Sequence, residues 1–352
     1  MRHSYRYACR CEANPVARRL TDQQRRRIAM HQTRRRSAVD DETTLDETRL
    51  GAEQEVLVIA HYGSQVDIET LDDTPRSVRC FLRANLEALV TGDRVIAKLP
   101  PPDSEISNGV VVAGCARRSL LSRPDSRGLL RPIAANVDLM LITLAPAPEP
   151  FPFLVDRYLV AASLYGIAAV IVCNKTDLLT AANRSVIDRM LHIYQSLGYP
   201  VFSVSTQQAD STQTLRSFLR DKTAVIVGQS GVGKSSLIRS LLPDIEIAIG
   251  ELSAGVEKGR HTTTTARLYH LPEGGDLIDS PGIREFGLPL ISAQELLPHF
   301  VDLQQQAQHC RFRDCQHEHE PDCAVLAAEQ TGTIFPERLA SYRHLLANLH
   351  SA

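Results

Sequence analysis

The chain has 352 residues, enough for two or three domains at about 150 residues each, with 39 Lys and Arg against 41 Asp and Glu. Aromatics make up only 5% and Trp is absent, which leaves little for a binding surface built mainly on stacking. The longest apolar run, residues 159–173, is too short for the ~20 residues that cross a bilayer, and no apolar signal core follows Arg2 and His3. A secreted, membrane-spanning or wholly disordered protein is not expected; a cytoplasmic chain of several domains is. Its eight cysteines are then read as thiols or metal ligands, not disulfides.

The near-neutral total conceals a charged N-terminus. Residues 1–36 hold 11 arginines against Glu12 and Asp22, and residues 37–50 then hold five acids against Arg49. Thr21 and Gln24 suit a capping box, but Leu20, Ile28 and Met30 make almost no apolar face. Residues 1–50 therefore read as a largely disordered basic arm with an acidic linker, suited to an anionic partner.

From Glu53 the pattern changes to short β runs at residues 55–61, 65–70, 77–82, 94–99 and 109–112, separated by turn signals. Five strands in so short a span predict a small closed barrel of OB type over 51–118, a ligand-free sandwich being the alternative. Within a domain set at 119–289, residues 133–290 alternate apolar β runs, at 137–143, 169–173, 201–204, 224–227 and 277–278, with helix-length segments. That alternation predicts an α/β domain whose mostly parallel sheet is covered on both faces. Residues 290–352 read as helical, closing on a helix with Pro336 in its first turn and Leu339, Tyr342, Leu346 and Leu349 on one face.

The strongest chemical signal is the run Gly228, Gln229, Ser230, Gly231, Val232, Gly233, Lys234, Ser235, which follows a predicted strand and leads through Ser236 into a predicted helix. This G-x4-G-K-S spacing lets backbone N–H groups converge on phosphate oxygens at a helix N-terminus. Lys234 would reach the β- and γ-phosphates and Ser235 would hold Mg²⁺.

Asn174, Lys175, Thr176 and Asp177 follow the buried run ending at Cys173. An N-K-x-D loop at the carboxyl end of a strand recognises guanine, because its carboxylate accepts from N1–H and the exocyclic amine, which adenine cannot offer. Ser205 lies in the candidate second base-contacting loop. Asp279 and Gly282 form a D-x-x-G loop, placing Asp279 near the Mg²⁺ shell and the Gly282 N–H at the γ-phosphate. In the Gly259–Thr265 run, the hydroxyl of Thr262 or Thr263 would complete that shell.

The order of these motifs is informative. The N-K-x-D loop at 174 precedes the phosphate loop at 228, the reverse of ordinary GTPases. The same sheet results if old termini are joined and the chain reopened elsewhere, so the domain reads as a circularly permuted GTPase. Ras-type enzymes place a water-orienting Gln just after D-x-x-G. Ile283 stands there in this chain, and His261 is the candidate replacement. Slow basal hydrolysis, accelerated by a partner that orders this loop, is the expectation.

The last cluster is Cys310, Cys315, His317 and Cys323, with His319 and, less strongly, His309 as competing ligands. Three thiolates and an imidazole satisfy one tetrahedral Zn²⁺ per chain and leave no open position, which defines a structural site.

Together these residues resemble the ribosome small-subunit-dependent GTPase family of bacteria, from about residue 20 to the C-terminus. The likeness includes the Arg131–Asp138, Asp156–Leu159 and Asp279–Gly287 segments. It implies an OB barrel, a permuted GTPase core and a zinc-bearing C-terminal domain. It further implies late maturation of the small ribosomal subunit, contact with its rRNA, GTP hydrolysis to GDP stimulated by that subunit, zinc on Cys310, Cys315, His317 and Cys323, and a water-positioning role for His261. Two departures stand out: Asp322 occupies a position usually held by Gly, and Thr206 one frequently held by Ala. Residues 1–19 lie outside the resemblance. A monomer is the default. The alternatives are an RNA-binding assembly factor whose guanine nucleotide is mainly structural, and a permuted GTPase with another ribosomal target.

Overall fold

The computed structural model describes residues 49–83, 86–125, 128–208, 210–242, 266–280 and 291–349. The basic arm, Thr262, Thr263, His261 and Gly282 lie outside them. Strands β1 (Glu53–His61), β2 (Gln65–Thr70), β3 (Ser77–Leu82), β4 (Arg94–Lys98) and β5 (Asn108–Gly114) come first. Period-2 alternation turns one face of each inward. In β2, Val66, Ile68 and Thr70 are buried while Gln65, Asp67 and Glu69 are less so. Pairing runs β1-β2-β3-β5-β4 and returns from β4 to β1, so the five strands close a barrel. The β3–β5 pair is parallel. Val56, Val58, Ile68, Cys80, Val95 and Val111 fill the interior.

A two-stranded ribbon follows, β6 (Leu120–Pro124) and β7 (Leu130–Ala135), neither of which the sequence reading anticipated. Then β8 (Leu139–Leu144), β9 (Ala168–Cys173), β10 (Val201–Ser203), β11 (Thr223–Gly228) and β13 (Asp276–Asp279) form a parallel sheet in the order β10-β9-β8-β11-β13. Every residue of β8 is buried, as covering on both faces requires. Met140 and Ile142 pack with Val155, Leu159 and Tyr194 of helices α1 (Pro152–Leu164) and α2 (Arg184–Ser196). Leu139 and Leu141 pack on the opposite face with Leu215 and Leu237 of α3 (Gln213–Leu219) and α4 (Lys234–Leu241).

Strand β12 (Arg267–His270) is antiparallel to β13 and also pairs with barrel strand β1 through Ala60 and Arg267. One eleven-stranded sheet therefore runs from the nucleotide-type core into the barrel. The expected boundary at 118/119 falls inside a hydrogen-bonded junction. Arg117 forks onto the buried Asp93 at 2.6 and 2.7 Å, Arg118 pairs with Asp138 at 2.8 Å, and Ser119 donates to the Val137 carbonyl. The described residues from 50 to 349 form one compact unit.

His270 crosses the same seam, its Nε2 2.8 Å from Glu69 of β2 and its Nδ1 2.7 Å from Asp276 of β13. The hydrogen bond to Asp276 holds the imidazolium, so its pKa lies above 6.5 although desolvation opposes the rise. A raised folded pKa contributes stability that is complete below 6.5 and lost as pH rises through the folded value. Half-exposure limits the effect to under about 1 kcal/mol. The urea stability difference between wild type and His270→Gln is expected to be larger at about pH 6 than at about pH 8.5. Equal differences at both would refute the assignment.

The C-terminal layer is helical: α5 (Ala293–Leu296), α6 (Val301–Ala307), α7 (Ala324–Gln330) and α8 (Pro336–Leu349). Ser292 opens α5 with a capping box, its hydroxyl accepting from the Glu295 N–H while the Glu295 carboxylate accepts from the Ser292 N–H. Leu339, Tyr342 and Leu346 of α8 pack on Leu296, Phe300 and Leu303, and Val160 of α1 joins that cluster.

Candidate nucleotide site and metal centre

Strand β11 ends at Gly228 and α4 starts at Lys234, so the glycine-rich loop lies at the carboxyl edge of the parallel sheet. Gly228 adopts φ 142°, and a Cβ there would stand 2.1 Å from the Thr143 carbonyl of β8, which excludes any side chain. Lys234 is 9% exposed. Its ammonium curls into the loop and donates to the carbonyls of Gly228 (2.7 Å) and Gln229 (2.8 Å). Val232 is buried, whereas Ser230, Gly231 and Ser236 are exposed; Ser235 is half-buried at the start of α4.

Asn174 follows β9 and is fully buried. Its amide donates to the carbonyls of Val232 (3.0 Å) and Gly233 (3.3 Å). Lys175, in the left-handed region at φ 57°, donates from Nζ to Gly231 O (2.6 Å) and Ala147 O (3.2 Å). Two loops 54 residues apart in sequence (174 and 228) thus share one floor. Thr176 donates its backbone N–H to Val204 O at 3.2 Å. The exposed Asp177 accepts a hydrogen bond from the Ser205 hydroxyl, and buried Ser205 is itself held by its N–H on Ser211 Oγ at 2.7 Å. Asp279 ends β13 opposite Arg267.

Sequence reading missed the loop after β8. Ala147 supplies an acceptor to Lys175, and the Pro148 ring lies against Gly231, 3.4 Å from where a Cβ would stand. Part of the signal was present, since residues after an apolar strand of a parallel sheet border the ligand edge; that β8 neighbours β11 is seen only in the pairing. Ser211 carried no such signal, being one polar residue in a polar turn.

In the C-terminal layer, one donor atom from each of Cys310, Cys315, His317 and Cys323 lies within 4.8 Å of the others. Bonds of about 2.0–2.3 Å to a central tetrahedral ion give donor–donor edges of about 3.5–3.8 Å. The observed edges are 3.6 Å (Cys310 Sγ to His317 Nδ1), 3.5 Å (Cys323 Sγ to His317 Nδ1) and 3.9 Å (Cys310 Sγ to Cys323 Sγ). The donor set fits one metal ion. Desolvation, together with the neighbouring thiols, pushes the Cys315 thiol up to about 12, a rise that a bound cation reverses. His319 is 88% exposed and stands outside the cluster.

Two acids shape this loop. Although desolvation pushes it upward, the Glu320 carboxyl is held down to about 2 because it accepts from the backbone N–H groups of Gln316 (2.7 Å), Glu318 (2.9 Å) and His319 (3.1 Å). Asp322 sits at φ 56°, which explains why glycine suits the position; Asp tolerates this region, and its carboxylate pairs with Arg311 at 2.7 Å.

Residues 115–289 match the model of the RsgA GTPase family. The chain is 49% identical over 326 residues to the small ribosomal subunit biogenesis GTPase RsgA of Pseudomonas aeruginosa strain LESB58, covering 93% of this chain and 94% of that one. It is 49% identical over 339 residues to the Azotobacter vinelandii protein of the same name, covering 94% and 98%. Among solved structures, YjeQ from Thermotoga maritima superposes with a TM-score of 0.70 at 28% identity, over 86% of this chain and all of that one. YloQ, a circularly permuted GTPase, gives 0.67 at 26% identity, over 85% and 96%.

Proposed function

The chain belongs to the RsgA GTPase family, and from that premise we propose that it hydrolyses GTP on the small ribosomal subunit during late maturation, with turnover stimulated by that subunit. It is a GTP-hydrolysing enzyme of small-subunit biogenesis. The observation that carries the guanine site is the pair of hydrogen bonds from Asn174 to the phosphate loop, since they join the base-reading and phosphate-reading loops into one pocket.

In this reading Asp177, oriented by Ser205, accepts from guanine N1–H and the exocyclic amine, and the Lys175 stem covers the base. The backbone of Gly228–Gly233 cradles the phosphates. Lys234 exchanges its two loop carbonyls for phosphate oxygens. Ser235 and one of Thr262 or Thr263 hold Mg²⁺, with Asp279 nearby. When bound there, Mg²⁺ would supply positive charge to the phosphates. His261 orients the attacking water, and the Gly282 N–H meets the γ-phosphate. The family implies Mg²⁺ with GTP, and the four C-terminal donors suit one structural Zn²⁺.

The closed five-strand order supports an OB-type barrel, a fold suited to binding rRNA, and the arginine-rich composition of residues 1–36 suits the same polyanion. No helix among the described residues is long and apolar enough to cross a membrane. A ribosomal target supports a cytoplasmic location, and a monomer is the default reading.

GTP turnover measured alone, with small subunits and with large subunits tests the reading. Small subunits alone are expected to stimulate. Asp177→Asn keeps one oxygen to accept from N1–H but turns an N–H donor toward the exocyclic amine, which also donates, so GTP affinity falls about 100-fold as one bond is lost and the other loses its charge. Xanthosine triphosphate, with an oxygen in place of the amine, regains affinity. Stimulation by neither subunit, or unchanged nucleotide preference in Asp177→Asn, overturns the reading.

A further inference from the structure

The turn at residues 90–93 joins the barrel to the nucleotide-binding sheet, and its contacts are unusually placed. Thr91 is 1% exposed, and its hydroxyl donates to the Ala266 carbonyl at 2.9 Å. Its own carbonyl accepts from Ala135 N–H at 3.0 Å. Gly92 adopts φ 91°, and a Cβ there would lie 2.2 Å from Ala135 O and 3.1 Å from Ile278 Cδ1. The turn is held rigidly on both sides. Gly92 N–H donates to Val58 O of β1 at 2.9 Å, and Gly92 O accepts from the buried Asn136 amide at 2.8 Å. Asp93, also 1% exposed, is locked by Arg117.

Ala266 directly follows Thr265, the end of the Gly259–Thr265 run, and Ile278 directly precedes Asp279. One barrel turn therefore grips the root of one motif assigned to the γ-phosphate and Mg²⁺ and packs against the root of the other. Strand pairing of Ala60 with Arg267 fixes the neighbouring residue to the same barrel wall.

We propose that Thr91 is a positioning residue for stimulated GTP hydrolysis: its hydroxyl, by holding Ala266 to the barrel, couples what the barrel binds to the motif that follows the phosphate loop. This rests on the functional reading above. The Thr91–Ala266 contact works in both directions, so nucleotide state is expected to change protection at the turn. A purely structural hydroxyl would stabilise the fold without separating basal from stimulated turnover.

The test uses full-length wild type, Thr91→Val, which keeps the shape and removes the donor, and Thr91→Ser, which restores it. Basal turnover and small-subunit co-sedimentation are expected to stay within about twofold, while stimulated turnover falls about tenfold in Thr91→Val and returns to within about threefold in Thr91→Ser, matching one buried hydrogen bond. Full stimulation in Thr91→Val, no rescue by Thr91→Ser, or loss of stimulation through loss of the subunit overturns the proposal. Hydrogen exchange on the protein alone gives the second arm. Replacing GDP by a non-hydrolysable GTP analogue is expected to change protection of the Gly92 amide in wild type and not in Thr91→Val. No change in wild type overturns the proposal, even if small subunits fail to stimulate wild type and the functional reading falls separately.

Discussion

Arg338→Ala is expected to cost about 3–5 kcal/mol of stability, read as a lowered urea midpoint, because it strips the counter-charge from two acids inside the molecule. Arg338 is 3% exposed, lies with its guanidinium 4.5 Å over the Phe300 ring, and forks onto Asp302 at 2.9 and 3.1 Å. Its remaining arm binds Asp156, which is 1% exposed. Burial pushes the Asp156 carboxyl above 3.8, and Arg338 is the first of the groups opposing that rise. Removing the arginine raises it further. Ionised Asp156 is then disfavoured in the fold, so the deficit against wild type grows as pH climbs through the wild-type folded value, itself above 3.8, and shrinks as pH falls below it. Arg338→Lys keeps the charge but loses the fork, and is expected to cost about 1–2 kcal/mol. A loss under about 1 kcal/mol for Arg338→Ala would show that the site relaxes or admits water. The pair matters for function because α1 faces both ways. Asp156 docks α8, and two residues on the Tyr158 hydroxyl hydrogen-bonds the backbone of Gly228 at the mouth of the phosphate loop.

Local chemistry made the site motifs readable, and non-local pairing hid the framework that relates them. Gly228–Ser235 and Asn174–Asp177 were visible because each needs particular residue types at fixed spacing beside an apolar strand. The five barrel strands were visible from alternation, but the β4–β1 closure and the β1–β12 seam join residues far apart in sequence and leave no periodic trace. Strand β12 escaped notice because Arg-Leu-Tyr-His buries only Leu268 and follows a polar threonine run. The β6–β7 ribbon was masked by Pro124 and Pro132, residues that a central strand would not tolerate but a two-stranded ribbon does. Strand β8 begins at Leu139, two residues later than Val137; Asn136 takes the left-handed region just before it, and the Asp138 side chain accepts from Thr223 N–H at the strand's start. Asp156 and Arg338 were each readable as helix residues; that they meet across 182 positions follows only from the packing of α1 on α8.

Loss of the Zn²⁺ proposed for Cys310, Cys315, His317 and Cys323 is expected to have the largest effect of all. Structural Zn²⁺ sites contribute about 10–16 kcal/mol in isolated small domains, more than any side-chain contact in this chain. The loop depends on it because residues 311–314 are all exposed and supply no core of their own. Besides the donor set, it is held by Glu320 on three backbone N–H groups and by Arg343, which donates to the His317 carbonyl at 2.5 Å. Cys323 is also the N-cap of α7, so an ion on the four donors would anchor the start of a helix whose Val325 lies in the C-terminal core. Cys323→Ser, or treatment with a strong chelator, is therefore expected to lower metal content from one equivalent toward zero. Amides of α7 and α8 should lose exchange protection while those of β8 and β11, in a separate core, keep theirs. Glu320→Gln leaves the four donors intact and is expected to retain the metal with weaker affinity, since the neutral amide accepts less strongly from the three N–H groups. One full equivalent of metal in Cys323→Ser, or unchanged protection of α7 after chelation, would remove the ion from the account of this layer and leave Phe300, Leu339 and Tyr342 to hold it alone.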